Sequence, residues 1–204
     1  MRKLLKDIAR KARTMSGDGK VAAYIPMLAA VDPGKFALVV RTAEGQEWAV
    51  GDADEPFSIQ SISKLFALAL AMEWVGAPLW EKVGREPSGM RFNSLIQLET
   101  EDGRPRNPFI NAGAIATTDA LMSARPEYAQ DLLEQIRLLA GNPAIEMDGA
   151  VHRSEMATGD LNRAMAFVLK AHGNLANDPI AVTDAYFGAN AIARFRSPVA
   201  ISER

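Results

Sequence analysis

The sequence predicts an α+β domain in which helices surround a small antiparallel sheet. Two short runs rich in β-branched and apolar residues flank a tight turn between Phe36 and Val50. Several longer segments around them carry apolar residues at helical spacing. In a chain of 204 residues, 48% hydrophobic side chains supply a sizeable core and 24% charged side chains a polar surface.

Within Met1–Met15, Leu5, Ile8, Ala9 and Ala12 recur at helical spacing. Arg2, Lys3, Lys6, Arg10, Lys11 and Arg13 form a basic outer face, and the segment lacks the apolar core of a secretory signal. Asp32-Pro33-Gly34-Lys35 reads as a turn. Phe36–Arg41 and Glu47–Val50 then form a hairpin about Glu44-Gly45. From Phe57 to Val75 the apolar residues fall on every side, which predicts a helix buried nearly all round. Alanine-rich Asn111–Ser123 predicts a tightly packed helix. Pro126–Ala140 predicts another, with a stripe of Leu132, Leu133, Ile136 and Leu139 and a stop at Gly141. Asp160–Ala171, striped by Leu161, Ala164, Met165, Val168 and Leu169, predicts a third, capped by Thr158 or Asp160. Thr183–Arg196 reads as a fourth. Only two strands are clear, whereas a stable sheet usually needs three. Further strands are either hidden in the sequence or outside it.

Composition excludes several function classes. Without cysteine there are no disulfides, thiolate metal sites or thiol nucleophiles. A net charge of −2 argues against nucleic acid as a partner. No run approaches the ~20 apolar residues of a membrane span, and a cytoplasmic protein fits. His152 and His172 are the only histidines and stand outside any ligand-spaced motif, so no metal is expected.

The chemistry concentrates at Ser61-Ile62-Ser63-Lys64. Residues three apart share a helix face, with β-carbons about 5–6 Å apart. A lysine with its ordinary pKa near ~10.4 is a poor base at neutral pH. Burial disfavours its charged form, and Lys64 lies inside an apolar run. It could then take the proton of Ser61 as that hydroxyl attacks a carbonyl carbon, while unpaired N–H groups at the helix start face the oxyanion. Ser63 is the poorer nucleophile, because Lys64 projects to a different face. A capping serine beside a solvated lysine is the ordinary alternative for the same spacing.

The stretch Phe57–Lys64 resembles the nucleophile motif of the serine-dependent glutaminases of bacteria and mitochondria. Gly19–Pro26, Glu86–Glu99, Arg106–Ala116 and Asp184–Phe187 resemble further motifs of that family, in the family's order. The resemblance implies a β-lactamase-like fold and hydrolysis of L-glutamine to L-glutamate and ammonia through an ester on Ser61, using water and no cofactor. It implies Ser61 as nucleophile, Lys64 as its base and Tyr186 as a site tyrosine that donates a proton. It implies substrate contacts from Tyr24, Gln60, Ser61, Asn111, Glu155, Asn162 and Tyr186, and it implies homo-oligomerisation. These residue types suit the ligand: a carboxylate pairs with the α-ammonium, and amides and phenols donate to the α-carboxylate. Each also has an ordinary structural role open to it: Asn111 a cap, Asn162 and Glu155 solvated, Tyr24 a core aromatic.

The resemblance covers residues 1–187 and decays over 188–204. The family reads a Gln-Cys pair soon after Tyr-Phe, where this chain has Gly188-Ala189-Asn190-Ala191. The family pattern continues beyond the chain's end, so the C-terminal strands of the sheet are expected to be missing. A frameshifted or truncated reading frame would account for the tail, and low stability and little turnover are the expectation that follows. Two rivals remain. One is a glutaminase remnant that binds glutamine or a partner without catalysis. The other is a β-lactamase-like acyl hydrolase, which lacks its Ser-Asp-Asn and Lys-Thr-Gly strings here.

Overall fold

The computed structural model describes residues 1–15 and 19–194. The chain divides into two compact units at Pro56/Phe57.

In the first unit, helix α1 (Arg2–Met15) lies along a hairpin of β1 (Ala37–Arg41) and β2 (Glu47–Gly51). The register pairs Leu38 with Val50 and Val40 with Trp48. The hairpin matches the sequence expectation to within one residue at each end. Leu5 and Ala9 of the predicted stripe are buried, and Ile8 is not. A short helix, α2 (Pro26–Ala29), follows Tyr24 and Ile25.

The second unit holds the core. Its helices are α3 (Ser63–Trp74), α4 (Leu79–Lys82), α5 (Leu95–Thr100), α6 (Asn111–Ala124), α7 (Tyr128–Ala140), α8 (Gly149–Thr158), α9 (Asp160–Ala171) and α10 (Pro179–Asn190). α6 is buried from Asn111 through Leu121 and packs against α3, α9 and α10. Its small side chains let neighbours approach on every side. α7 ends where Gly141 takes a left-handed conformation, φ 60°. Asp148 and Asp178 cap α8 and α10 by accepting from the first N–H groups of each.

Two hidden strands appear. β3 (Ile145–Met147) and β4 (Ile192–Arg194) pair antiparallel, and β4 also bridges Ser58 through Ala193. The helix expected over Thr183–Arg196 therefore begins earlier and ends at Asn190, because Pro179 preorganises its first turn and the chain then extends into β4. The rest of the tail, residues 195–204, lies outside the described residues.

Three other expectations are corrected. α3 is not buried all round: Leu65 and Met72 are 56% and 55% exposed, while Lys64, Ala67, Leu70 and Ala71 face inward. A helix that is apolar on every face does not itself say which face is covered. The stripes of α7 and α9 lose Leu139 and Leu161 to solvent, and α7 instead buries Tyr128 with Leu132 and Ile136. α9 has Gly159 at its cap position and no side-chain cap from Thr158 or Asp160. Helix α8 had no sequence signal, since its buried face is Val151 and the acid Glu155.

Candidate active site

Lys64 stands on the first turn of α3 and is 4% exposed. Its Nζ donates to Asn111 Oδ1 at 2.7 Å and to the Phe109 carbonyl at 3.1 Å. Asn111, the first residue of α6, donates from Nδ2 to Asn162 Oδ1 on α9 at 2.9 Å. Three helices are thus joined by one polar chain. The loop that offers the Phe109 carbonyl is held by Asn107, whose Oδ1 accepts from the N–H groups of Phe109 and Ile110. Gly113 makes that approach possible, because a β-carbon there would sit 1.8 Å from the Asn107 carbonyl oxygen.

Burial pushes the Lys64 ammonium down to about 8, and the Glu155 charge pulls the other way. Both hydrogen bonds can be made by the ammonium or by the neutral amine. An NH2 group has two N–H donors, matching the two acceptors, and keeps one lone pair for a proton.

Glu155, on α8, is 5% exposed. Its Oε1 accepts from Asn190 Nδ2 at 2.8 Å. Its Oε2 is buried and has no hydrogen-bond partner among the described residues. Burial pushes this carboxyl up to about 7, against the opposing pull of Asn190 and Lys64. Asn190 Oδ1 in turn accepts from Ser63 Oγ at 2.9 Å. α8 and α9 turn at Gly159, where a β-carbon would lie 2.3 Å from the Phe187 ring.

Ser61 sits in a single 3-10 turn, Gln60–Ile62, leading directly into α3, and it is exposed. The turn is anchored from outside by the Ile59 N–H, which donates to the Ile192 carbonyl at 2.8 Å. Gln60 holds φ at 47°, a left-handed conformation uncommon for a residue with a side chain, and its Nε2 donates to Ser58 Oγ at 3.1 Å. Tyr186 is buried on α10, one turn before Asn190 and on the same face. Tyr24 belongs to the first unit and is 67% exposed.

Of the residues singled out in the sequence, Lys64, Asn111 and Asn162 form one hydrogen-bonded chain, Glu155 interacts electrostatically with Lys64, and Ser61 and Gln60 stand one turn from it. Sequence reasoning missed Asn190, which fell inside the stretch set aside as divergent, and the partner role of Ser63. His152 approaches Asp184 at 2.9 Å.

A family model described as "Glutaminase" matches residues 19–201, running past Phe187 where the motif resemblance was lost. A glutaminase of Photorhabdus laumondii is 49% identical over 185 residues, covering 90% of this chain and 60% of that protein. A glutaminase of Vibrio parahaemolyticus is 50% identical over 190 residues, covering 93% and 62%. Among solved structures, a Bacillus glutaminase superposes with a TM-score of 0.83 at 28% identity, covering 95% of this chain and 61% of that one. The glutamate form of Mglu superposes at 0.82 with 35% identity, covering 95% and 46%. The chain therefore spans about three-fifths of the length of the curated relatives it matches.

Proposed function

Because the chain belongs to the glutaminase family, with its helix-rich β-lactamase-like fold, we propose that it hydrolyses the side-chain amide of L-glutamine through an ester on Ser61. The observation that carries this reading is the Lys64–Asn111–Asn162 chain, which runs from a buried lysine to a half-buried amide, beside a carboxylate with one oxygen that has no partner among the described residues.

Ser61 Oγ attacks the amide carbon and its proton passes to the lone pair of Lys64 Nζ. Unpaired backbone N–H groups at the start of the Ser61 turn stabilise the oxyanion. The C–N bond then breaks, and the departing nitrogen takes the proton held by Lys64, directly or relayed through the Tyr186 hydroxyl, to leave as ammonia and return Lys64 to its neutral form. Water attacks the ester, Lys64 again accepts the proton, and glutamate is released. Glu155 Oε2 receives the α-ammonium of the substrate, which supplies the partner it lacks. Asn162 keeps both N–H groups for the α-carboxylate, aided by Gln60 and Tyr186. The glutamate form of a similar protein supports an amino-acid ligand here. Homo-oligomerisation and a cytoplasmic setting belong to the same proposal. Among the described residues, no helix is long and apolar enough to cross a membrane.

The share of the relatives' length gives a specific reason for a second reading, binding without turnover. Ammonia release from L-glutamine by this chain, measured beside Ser61→Ala and with calorimetry of glutamine binding, separates the two. Release that disappears in the variant is the expected result. Binding without release in the parent favours the non-catalytic reading, and neither binding nor release overturns both.

A further inference from the structure

Glu155 is held by a residue outside the stretches that resemble family motifs. Asn190 reaches from the last turn of α10 with both ends of its amide engaged, Nδ2 on Glu155 Oε1 and Oδ1 on Ser63 Oγ. All three residues are nearly inaccessible, with Asn190 itself 3% exposed. Ser63 is next to Lys64 and two residues from Ser61, so the amide connects the carboxylate of α8 to the turn that presents the serine.

We propose that Asn190 is a positioning residue: it clamps Glu155 Oε1 against Ser63 and so presents Oε2, as an anion, to the ammonium of the bound amino acid. This deepens the reading of Glu155 given above and rests on it.

An ionised Glu155 can only accept, which turns the amide nitrogen of Asn190 toward it and the amide oxygen toward Ser63. Ser63 Oγ carries one donor hydrogen, and the Asn190 oxygen receives it. The N–H that faces Glu155 favours the carboxylate over the protonated acid. Were the amide reversed, its oxygen would face a carboxylate oxygen and force that group to hold a proton. Ser63 therefore acts on Glu155 at one remove. The other charges near Glu155 do not substitute for this clamp. Lys64 on α3 favours its ionised form, but the Nζ is bonded to Asn111 and Phe109. On α10, Asp184 faces His152 of α8. The clamp also explains why Oε1 has a partner while Oε2 does not.

The test reads the Glu155 proton directly. Infrared titration of protein carrying 13C-labelled glutamate, assigned by difference against Glu155→Gln, gives its ionisation midpoint with no ligand present. Asn190→Leu, which keeps approximate shape and removes both hydrogen bonds, should raise that midpoint by about one pH unit or more. Asn190→Asp, close to isosteric, should raise it at least as far, and Ser63→Ala less. Glutamine affinity of Asn190→Leu should fall about tenfold at pH 7 and recover by about pH 8.5, where Glu155 is again ionised. A purely structural role would lower affinity equally at both pH values, and that result would overturn the proposal. So would an unchanged midpoint in whichever position-190 variant folds. If the midpoint moves but the parent binds no glutamine, the clamp stands and the glutaminase reading falls.

Discussion

Two carboxylates are buried in the second unit, and they end in opposite states. Asp119, on α6, is fully inaccessible, yet its pKa lies below the ordinary carboxylate value. Burial alone would raise it. The N–H groups of Ala176 and Asn177, the Asn177 side-chain amide and Lys82 Nζ all donate to it and more than offset that effect. Glu155 has a single donor among the described residues, and burial wins, pushing it up to about 7. Burial of an acid therefore says little about its role. The number of donors around it distinguishes a structural anchor, complete without a ligand, from a group whose remaining oxygen is available to one.

Removing the anchor should have the larger effect. Asp119→Ala leaves the two backbone N–H groups and Lys82 without their acceptor at a junction of α4, α6 and the 174–177 loop. The expected loss is about 3–5 kcal/mol of unfolding free energy, as for breaking a buried charged cluster. Urea denaturation measures it. A loss below about 1 kcal/mol would erase the contrast between the two sites.

Glu155→Gln should act in the opposite sense. The folded pKa of Glu155 is raised, so its favourable contribution is present below its unfolded value near 4.5 and lost as pH rises through about 7. The glutamine variant has no charge to bury. Its stability should equal that of the parent near pH 4.5 and exceed it at pH 8, by up to about 3 kcal/mol. The same change should weaken glutamine binding at pH 8 by about 10–100-fold, through loss of a charged hydrogen bond. Asp119 has the reverse dependence: with a lowered pKa, its stabilisation is full above 3.8 and lost as acid protonates it in the fold. Thermal melts across pH, set beside calorimetry, resolve both signs. A variant no more stable than the parent at pH 8 would mean that Glu155 has donors enough already.

The sequence made the local half of this picture readable. The hairpin follows from two β-branched runs and a turn, and α6 from a run of alanines. Lys64 stood out as a cation inside an apolar run, and its burial bears out that local setting. What could not be read was which distant residues complete each polar group. Ser63 and Asn190 are 127 positions apart, and Lys64 and Asn111 are 47 apart. α8 was invisible because one of its two buried residues is the acid itself, so a search for apolar spacing finds no stripe. β3 and β4 were too short to show alternation, although β4 fixes the turn before Ser61.

The smallest expected effect decides what satisfies Asp119, charge or hydrogen bonds. Lys82 is its only cationic partner among the described residues, and the lysine side chain is 32% exposed. An ion pair open to water on one side is weak, because solvent screens the attraction and the free ammonium hydrates well. The amides are different, being local, fixed by the backbone and unable to find other acceptors inside the fold. Lys82→Ala should therefore cost only about 1 kcal/mol, and Asp119 should stay ionised at neutral pH on its N–H donors alone. Asn177→Ala, which removes the side-chain donor but not the charge, should cost about as much. If Lys82→Ala alone approaches the loss seen for Asp119→Ala, charge pairing holds the anchor, and the missing partner at Glu155 would have to be counted in charges rather than in donors.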